Sequence, residues 1–550
     1  MKTFLSLFFT VLSLGLFAQE SSFSKNRIIA ELKKDLKKNV FDLNELESLA
    51  TIFVENHLEI VTPLDIQKSK SLNGRPLVIV FKNDIEVENI IKKLEETNLF
   101  QYVEPDYIQT GSGIKIATEK KDQTTFTPFA TTPNDPYFFR QWGLNNNGTF
   151  SLSPATVDAD VDMTDAWDIS TGSNAVKMAV IDSGISMLHP EFSGRIMTNS
   201  LESINGIDDD GNTYIDDFQG WDFVNNDNNP TDDHGHGTNV TGIAMANANN
   251  SIGYAGVDWN CKVLPIKVLN SSNSGLTSNI IASFYYAISR NVDVISISIG
   301  GSGFSTAYQN AVNLAYTQNI VVVACMMNFN NATPYYPAAF PTVIAVGSTN
   351  PNDTRTNPFF WSTTSGSNFG THIDVVAPGN YMYGLSHTST TSYDSYWGGT
   401  SQATPLVAGI TSLMLAVNPA LTVDQISSIL QTTAQDQVGN PSEDILGWDQ
   451  YYGAGRVNAH SALLAAQTLS VENNFVKNGI SIYPNPVNNM LNIKGDVEID
   501  NASIFDLSGR MIQTLKNSAK FIDVSTLQSG VYILELTSNN QKFAQKFIKK

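Results

Sequence analysis

The chain has 550 residues, of which 42% are hydrophobic and 16% charged, with a formal charge of −20 at neutral pH. That length allows several domains and a large core. The charge is uneven: residues 131–468 hold 8 Lys and Arg against 28 Asp and Glu, an acidic middle that argues against nucleic-acid binding, which needs a basic face, and suits a soluble extracellular protein rich in calcium.

In chain order, residues 1–18 read as a secretory signal: Lys2, an apolar run from Phe4 to Phe17, then Ala18. No later run has the ~18–20 apolar residues that a bilayer requires, so no membrane span is expected in the mature form. Residues 19–110 form a first unit. A strand is predicted at 76–82, a helix at 84–98 from the spacing of Ile85, Val87, Ile90, Ile91 and Leu94, and an extended return at 100–105. Residues 111–132 are polar and read as an exposed linker suited to processing.

Residues 133–468 alternate short apolar strands with helical patterns. Strands are predicted at 176–181, 262–269, 292–299, 320–324 and 343–347, with helices at 276–290 and 306–318. Continuous apolar strands separated by helices predict an α/β domain with a parallel sheet covered on both faces. After residue 469 the texture becomes short strands and turns, which predicts a small all-β sandwich over 469–550. The two cysteines, Cys261 and Cys325, fall at opposite ends of predicted parallel strands. A disulfide cannot span a strand length, so both are expected free and buried.

Three stretches carry chemistry. Ser401 lies in GGTSQATPLVAG, where a glycine-rich turn meets an apolar helix; the free N–H groups of such a helix start suit a nucleophile whose reaction makes an oxyanion. Asp182 ends the strand-like run VKMAVID, and His236 opens HGTNVTGIA. A serine hydroxyl needs a base to take its proton, and the base needs an acid to hold its tautomer. His234 makes an HxH pair with His236, but no further ligand cluster follows at zinc spacing. The stretch GIDDDGNTYIDD sets Gly211 at the turn of an incomplete EF-hand, with Asp208, Asp210, the Asn212 carbonyl and Asp217 as calcium ligands.

The chain order Asp, His, Ser and all three flanking motifs resemble the subtilisin-like serine proteases over residues 133–466. The resemblance implies a secreted endopeptidase acting on protein or peptide substrates through Asp182, His236 and Ser401. It implies Asn328, just after the strand VVVAC, as the second oxyanion donor. Here Met327 stands where the family has a small residue, which narrows the S1 pocket if its side chain points there; Asn330 is the fallback donor. The resemblance also implies that Ser298, Ile299, Gly300 and Gly301 seat the substrate as an added strand. A family calcium loop matches Asp222, Asn225, Asp227, Asn229 and Thr231. The unit at 19–110, closing on YVEPDY, resembles the family's inhibitory propeptide, a partner within the same chain. YPNP, DLSGR, LQSGVY and the final Lys549–Lys550 resemble the C-terminal sorting domain read by the type IX secretion machinery. Two other readings stay open: a catalytically impaired scaffold acting as a binding or adhesion protein, and an esterase or zinc hydrolase.

Overall fold

The computed structural model describes residues 22–66, 71–117, 131–477, 481–494, 499–505, 511–516, 520–528, 530–538 and 541–550. The signal stretch at 1–18, most of the expected linker and the DLSGR motif lie outside them.

Seven parallel strands form the central sheet, in the order Val375–Pro378, Ile344–Thr349, Val321–Cys325, Val294–Ile297, Lys177–Asp182, Lys262–Lys267 and Trp221–Asp222. Successive residues of a strand face opposite sides. Met178 and Val180 accordingly join one core, with the helices His236–Met245 and Thr400–Val417; Ala179 and Ile181 join the other, with Thr277–Ser289 and Thr306–Thr317. Both faces are covered, which is why these strands are apolar without alternation. The helix Thr400–Val417 is long and apolar enough to cross a membrane, contrary to the expectation that no such run exists, but it is a core helix, buried almost throughout. Cys261 and Cys325 are both free and buried, as expected.

The stretch 292–299, expected as one strand, breaks at Ser298. Val294–Ile297 stays in the parallel sheet, while Ile299–Gly300 turns away to pair with residues 110 and 111. It thereby joins a second sheet, ordered Ile299–Gly300, Phe100–Gly111, Phe23–Leu32, Pro76–Phe81, Leu58–Pro63, with Ser274–Leu276 also on Phe100–Gly111. The N-terminal unit keeps its own core of Leu77, Ile79, Phe81, Ile90, Leu94 and neighbours. Its predicted strand, helix and return appear as Pro76–Phe81, Val87–Glu96 and Phe100–Gly111. The strand Phe23–Leu32, not predicted, lies between the other two, antiparallel to both.

Residues 111–117 do not run as an exposed linker. Phe100–Gly111 continues into the main domain, and Ile114–Ala117 pairs antiparallel with Ser395–Gly398. Composition suggested a linker because the segment is polar and glycine-containing; its backbone groups are satisfied by the main domain's strands instead. The C-terminal unit has two antiparallel sheets around one core of Val487, Leu491, Ile522, Leu534 and Phe547: Ser481–Tyr483 with Met490–Lys494 and Phe521–Asp523, and Met511–Lys516, Asn501–Phe505, Gly530–Ser538 and Gln541–Lys549.

Candidate active site

Asp182 is the last residue of its parallel strand, at the carboxyl edge where open α/β sheets form their crevices. It is fully buried, and its Oδ1 accepts from the Ser183 N–H (2.7 Å) and from His236 Nδ1 (2.7 Å). His236 is the first residue of its helix, behind Gly235 at φ 106°, a left-handed conformation that suits glycine. Asp232 fixes this helix start. Its carboxylate accepts from the backbone N–H groups of His234, Gly235 and Thr238, from Thr238 Oγ1 and from Ser183 Oγ. Nothing in the sequence singled out Asp232; the one signal was its place four residues before the helix-opening histidine.

Burial disfavours the charged imidazole, but the Asp182 carboxylate and its hydrogen bond outweigh this and raise the His236 pKa above its ordinary value. A ring so placed gives Nδ1–H to Asp182 and turns Nε2 toward the cleft.

Ser401 is the second residue of its helix. Four residues on, Pro405 lacks the N–H that would bond the Ser401 carbonyl. Ser298 Oγ donates to that carbonyl instead (2.9 Å), and Ser401 Oγ donates back to the Ser298 carbonyl (3.1 Å). Asn328 Oδ1 accepts from the backbone N–H (2.9 Å) and Oγ1 (3.0 Å) of Thr400, which points its amide Nδ2 into the cleft in front of the helix. Met327, just before it, adopts φ 73°, a conformation that glycine takes freely and other residues reach at a cost of about 1–3 kcal/mol. The departure from a small residue is therefore absorbed as local strain, with Asn328 still on Thr400. The fallback, Asn330, accepts from Arg355 Nη1 (3.0 Å) and stands apart from this group.

The cleft holds the chain's own segment. Residues 108–110 pair antiparallel with 274–276, and 110–111 with Ile299–Gly300. The Ser112 N–H donates to the Ser298 carbonyl (3.3 Å). Ser112 Oγ shares a hydrogen bond with Ser401 Oγ (2.5 Å), and the Ser112 carbonyl lies 3.4 Å from His236 Nε2. A Cβ placed on Gly399 would fall 2.8 Å from that carbonyl oxygen and 2.9 Å from Asn328 Nδ2, so the two groups face the same spot. Of the residues expected to seat substrate, Ser298, Ile299 and Gly300 contact the segment's backbone, while Gly301 pairs with Tyr336. Upstream, Glu104 accepts from the N–H groups that open Thr306–Thr317, and Asp106 from Ser278 at the start of Thr277–Ser289. Helix starts favour such anions.

The two expected calcium loops differ. Carboxylate oxygens of Glu202, Asp208 and Asp210 lie within 4.8 Å of one another. Asn212 and Asp217 sit behind them: Asn212 Nδ2 bonds Asp210 and Asp217, and Asp217 pairs with Arg290 (2.9 Å). Glu202, which the loop spacing missed, is buried, and its Oε2 has no hydrogen-bond partner among the described residues. In the other loop Asp222 accepts from Val224 and Asn225, Asp227 from Asn229, and Thr231 donates to Asn229; its carboxylates serve the turn itself. A third acidic place was not foreseen. Burial, with Asp135 adding its charge, pushes the Glu191 carboxyl up to about 8, and Glu191 Oε1 and Asp135 Oδ1 are buried without hydrogen-bond partners among the described residues. Single acidic residues in NDPYF and LHPEF gave no cue that their charges act on each other.

The subtilase family profile matches residues 173–455, and the secretion system C-terminal sorting domain matches 481–550. The chain is 36% identical over 333 residues to thermitase from Thermoactinomyces vulgaris, covering 60% of this chain and 99% of that protein. It is 32% identical over 377 residues to a thermophilic serine proteinase from Bacillus sp. (strain AK1), covering 68% and 76%. Fervidolysin from Fervidobacterium pennivorans, described as a keratinolytic enzyme related to subtilisin, shares the fold (TM-score 0.58, 18% identity, 94% of this chain and 71% of that one). The sorting domain marks the protein for secretion to the cell surface or medium. Strand-end Asp182, helix-opening His236 and Ser401 all fall within the matched residues, and the chain belongs to the subtilase family of serine endopeptidases.

Proposed function

We propose that the protein hydrolyses peptide bonds through an acyl-enzyme built on Ser401, with His236 as base and Asp182 as its orienting acid, and that its N-terminal unit is both inhibitor and first substrate. The observation that carries this reading is the segment at 111–117, which crosses the cleft as an extended strand with Ser112 against Ser401 and His236. Ser112 then occupies P1 and Gly113 P1′.

In the uncut chain Ser401 Oγ bonds Ser298 and Ser112. For attack it turns to His236 Nε2, which takes its proton as the Oγ–C bond to Ser112 forms. Asn328 Nδ2 and the Ser401 N–H hold the resulting oxyanion. The Ser112–Gly113 bond breaks as His236 gives its proton to the Gly113 nitrogen, and water then releases the acyl group by the same route in reverse. The cleaved unit stays seated through Glu104, Asp106 and the strand pairing until it dissociates.

Calcium fits one place: Glu202, Asp208 and Asp210 offer hard oxygen donors around a buried oxygen that has no hydrogen-bond partner among the described residues. An ion there would neutralise repelling carboxylates and pin the loop; no catalytic step passes through it. The tail addresses the chain to the type IX machinery. The Met327 departure is what raised the reading of an impaired binding protein, and Asn328 held on Thr400 weighs against it.

Intact mass and N-terminal sequencing of the secreted protein test the proposal. A mature chain beginning at Gly113 is expected. A chain that keeps the Ser112–Gly113 bond intact while active would contradict the first-substrate assignment.

A further inference from the structure

We infer that Cys325, Met327 and Tyr335 close the S1 pocket to all but small side chains, so that the enzyme cuts after serine, alanine or glycine. The inference rests on the peptidase reading above and names the substrate class of that same site.

The residue at P1 in the uncut chain is Ser112. Ser112 is fixed by its N–H on Ser298, and its side chain points between the strand end at Cys325 and the helix start at Thr400. Its Oγ lies 2.5 Å from Ser401 Oγ, 3.4 Å from Thr400 Oγ1 and 3.5 Å from Cys325 Sγ. The thiol is thus one of the three groups that the P1 side chain touches, and the one that belongs to the strand end rather than to the helix.

Behind the thiol the space is filled. Met327 Sδ is 3.7 Å from Cys325 Sγ, and a Cβ placed on Gly300 would fall 2.8 Å from Met327 Sδ. Met327 therefore occupies the gap between the strand ending at Cys325 and the substrate-seating stretch Ser298–Gly301. Tyr335 completes a buried cluster with these two sulfur-bearing side chains, and Phe329 stacks on its ring at 5.2 Å. The open space beside the bound segment reaches Met327, Asn328 and Phe329, but its lining includes neither Cys325 nor Tyr335. The positive φ of Met327 explains the arrangement: a glycine would take that backbone at no cost and leave the gap empty, whereas here the same backbone carries a long side chain into it.

A leucine or phenylalanine at P1 has to displace this packed wall. Forcing extra atoms into a filled site is penalised, and discrimination by pocket size typically spans about 10–200-fold in kcat/KM. Cys325 and Met327 act at different depths. Shortening the thiol frees room near the β-carbon, which admits valine or threonine. Removing the Met327 side chain opens the deeper gap, which admits leucine and phenylalanine.

The test uses the mature enzyme and quenched fluorescent peptides that copy residues 107–117 with position 112 varied. Ratios of kcat/KM between peptides in one preparation are independent of the active fraction, so a poorly folding variant does not confuse the reading. Wild type should cut Ser, Ala and Gly peptides at least ~10-fold faster than Leu or Phe peptides. Met327→Gly should raise the Leu/Ser and Phe/Ser ratios at least ~10-fold, and Cys325→Ala the Val/Ser ratio alone. Cys261→Ala, whose thiol packs by Arg195 and Asp258, should change no ratio. A wild-type preference for Leu or Phe, or an unchanged profile in Met327→Gly, overturns the pocket assignment and leaves the peptidase reading standing. Failure to cut any peptide, whatever the residue at 112, overturns the peptidase reading itself.

Discussion

The two carboxylates that end the N-terminal unit set how tightly it holds the cleft. Glu104 accepts from Ser305 Oγ (2.5 Å), the Thr306 N–H (2.9 Å) and the Ala307 N–H (3.1 Å). Asp106 accepts from the Ser278 N–H (2.9 Å) and Oγ (2.6 Å), and pairs with Arg27 within its own unit (2.9 Å). Both sit over unsatisfied first-turn donors at the positive end of a helix. A hydrogen bond to a charged group contributes about 1.5–3 kcal/mol net. The three bonds of one carboxylate are not additive, because water reoccupies the freed donors once the unit leaves. Glu104→Ala should therefore weaken binding by about 1.5–3 kcal/mol, roughly 10–100-fold at 1.4 kcal/mol per decade. Glu104 is the cleaner site, since its three bonds all cross to the main domain, whereas Asp106 also orders Arg27. The assay is inhibition of the mature enzyme by the separate unit, residues 22–112, which has its own core. An inhibition constant for Glu104→Ala within twofold of wild type would refute the view that helix-end anions hold the unit in place.

Other expectations follow from the site. Asn328→Ala should lower kcat by ~10²–10³ with little change in KM, the scale known for the matching donor in subtilisin, a relative of this chain; a loss confined to KM would place Asn328 in ground-state binding instead. Calcium at 100 times its dissociation constant should add about 2.7 kcal/mol, so a melting temperature equal in chelator and in millimolar calcium would remove the exchangeable site. The raised His236 pKa means that the base is lost to protonation already above pH 6.5. Self-cleavage should therefore rise with pH through a midpoint above 6.5, and Asp182→Asn should move that midpoint down; a midpoint below 6 in wild type contradicts the Asp182 effect.

The main domain was legible as a parallel α/β fold because its strands are buried on both faces and bounded by helical periods. Predicted boundaries moved by a few residues, the strands Val375–Pro378 and Trp221–Asp222 were not foreseen, and the stretch 292–299 was read as one strand where the chain leaves one sheet for another. Periodicity cannot register that change of partner. Asp182, His236 and Ser401 stood out because each sits in a distinctive local motif. Asp232, Glu202, Glu191 and Asp135 did not, because their roles depend on contacts between distant segments that no spacing encodes. The segment at 111–117 was misread for a related reason: a chain bound as a substrate must be extended and pliable, so its composition resembles that of a linker.

Replacing the nucleophile is the most direct test of the whole account. Ser401→Ala in the full-length chain should leave the Ser112–Gly113 bond intact, and the enzyme, once matured by an added protease, should lose about 10⁶ in kcat, the scale seen for the same substitution in subtilisin. His236→Ala should match it, and the double variant should be little worse, because the two act as one unit. Retention of more than a few per cent of wild-type hydrolysis by Ser401→Ala, or cleavage after Ser112 in that variant without any added protease, would contradict the assignment of Asp182, His236 and Ser401.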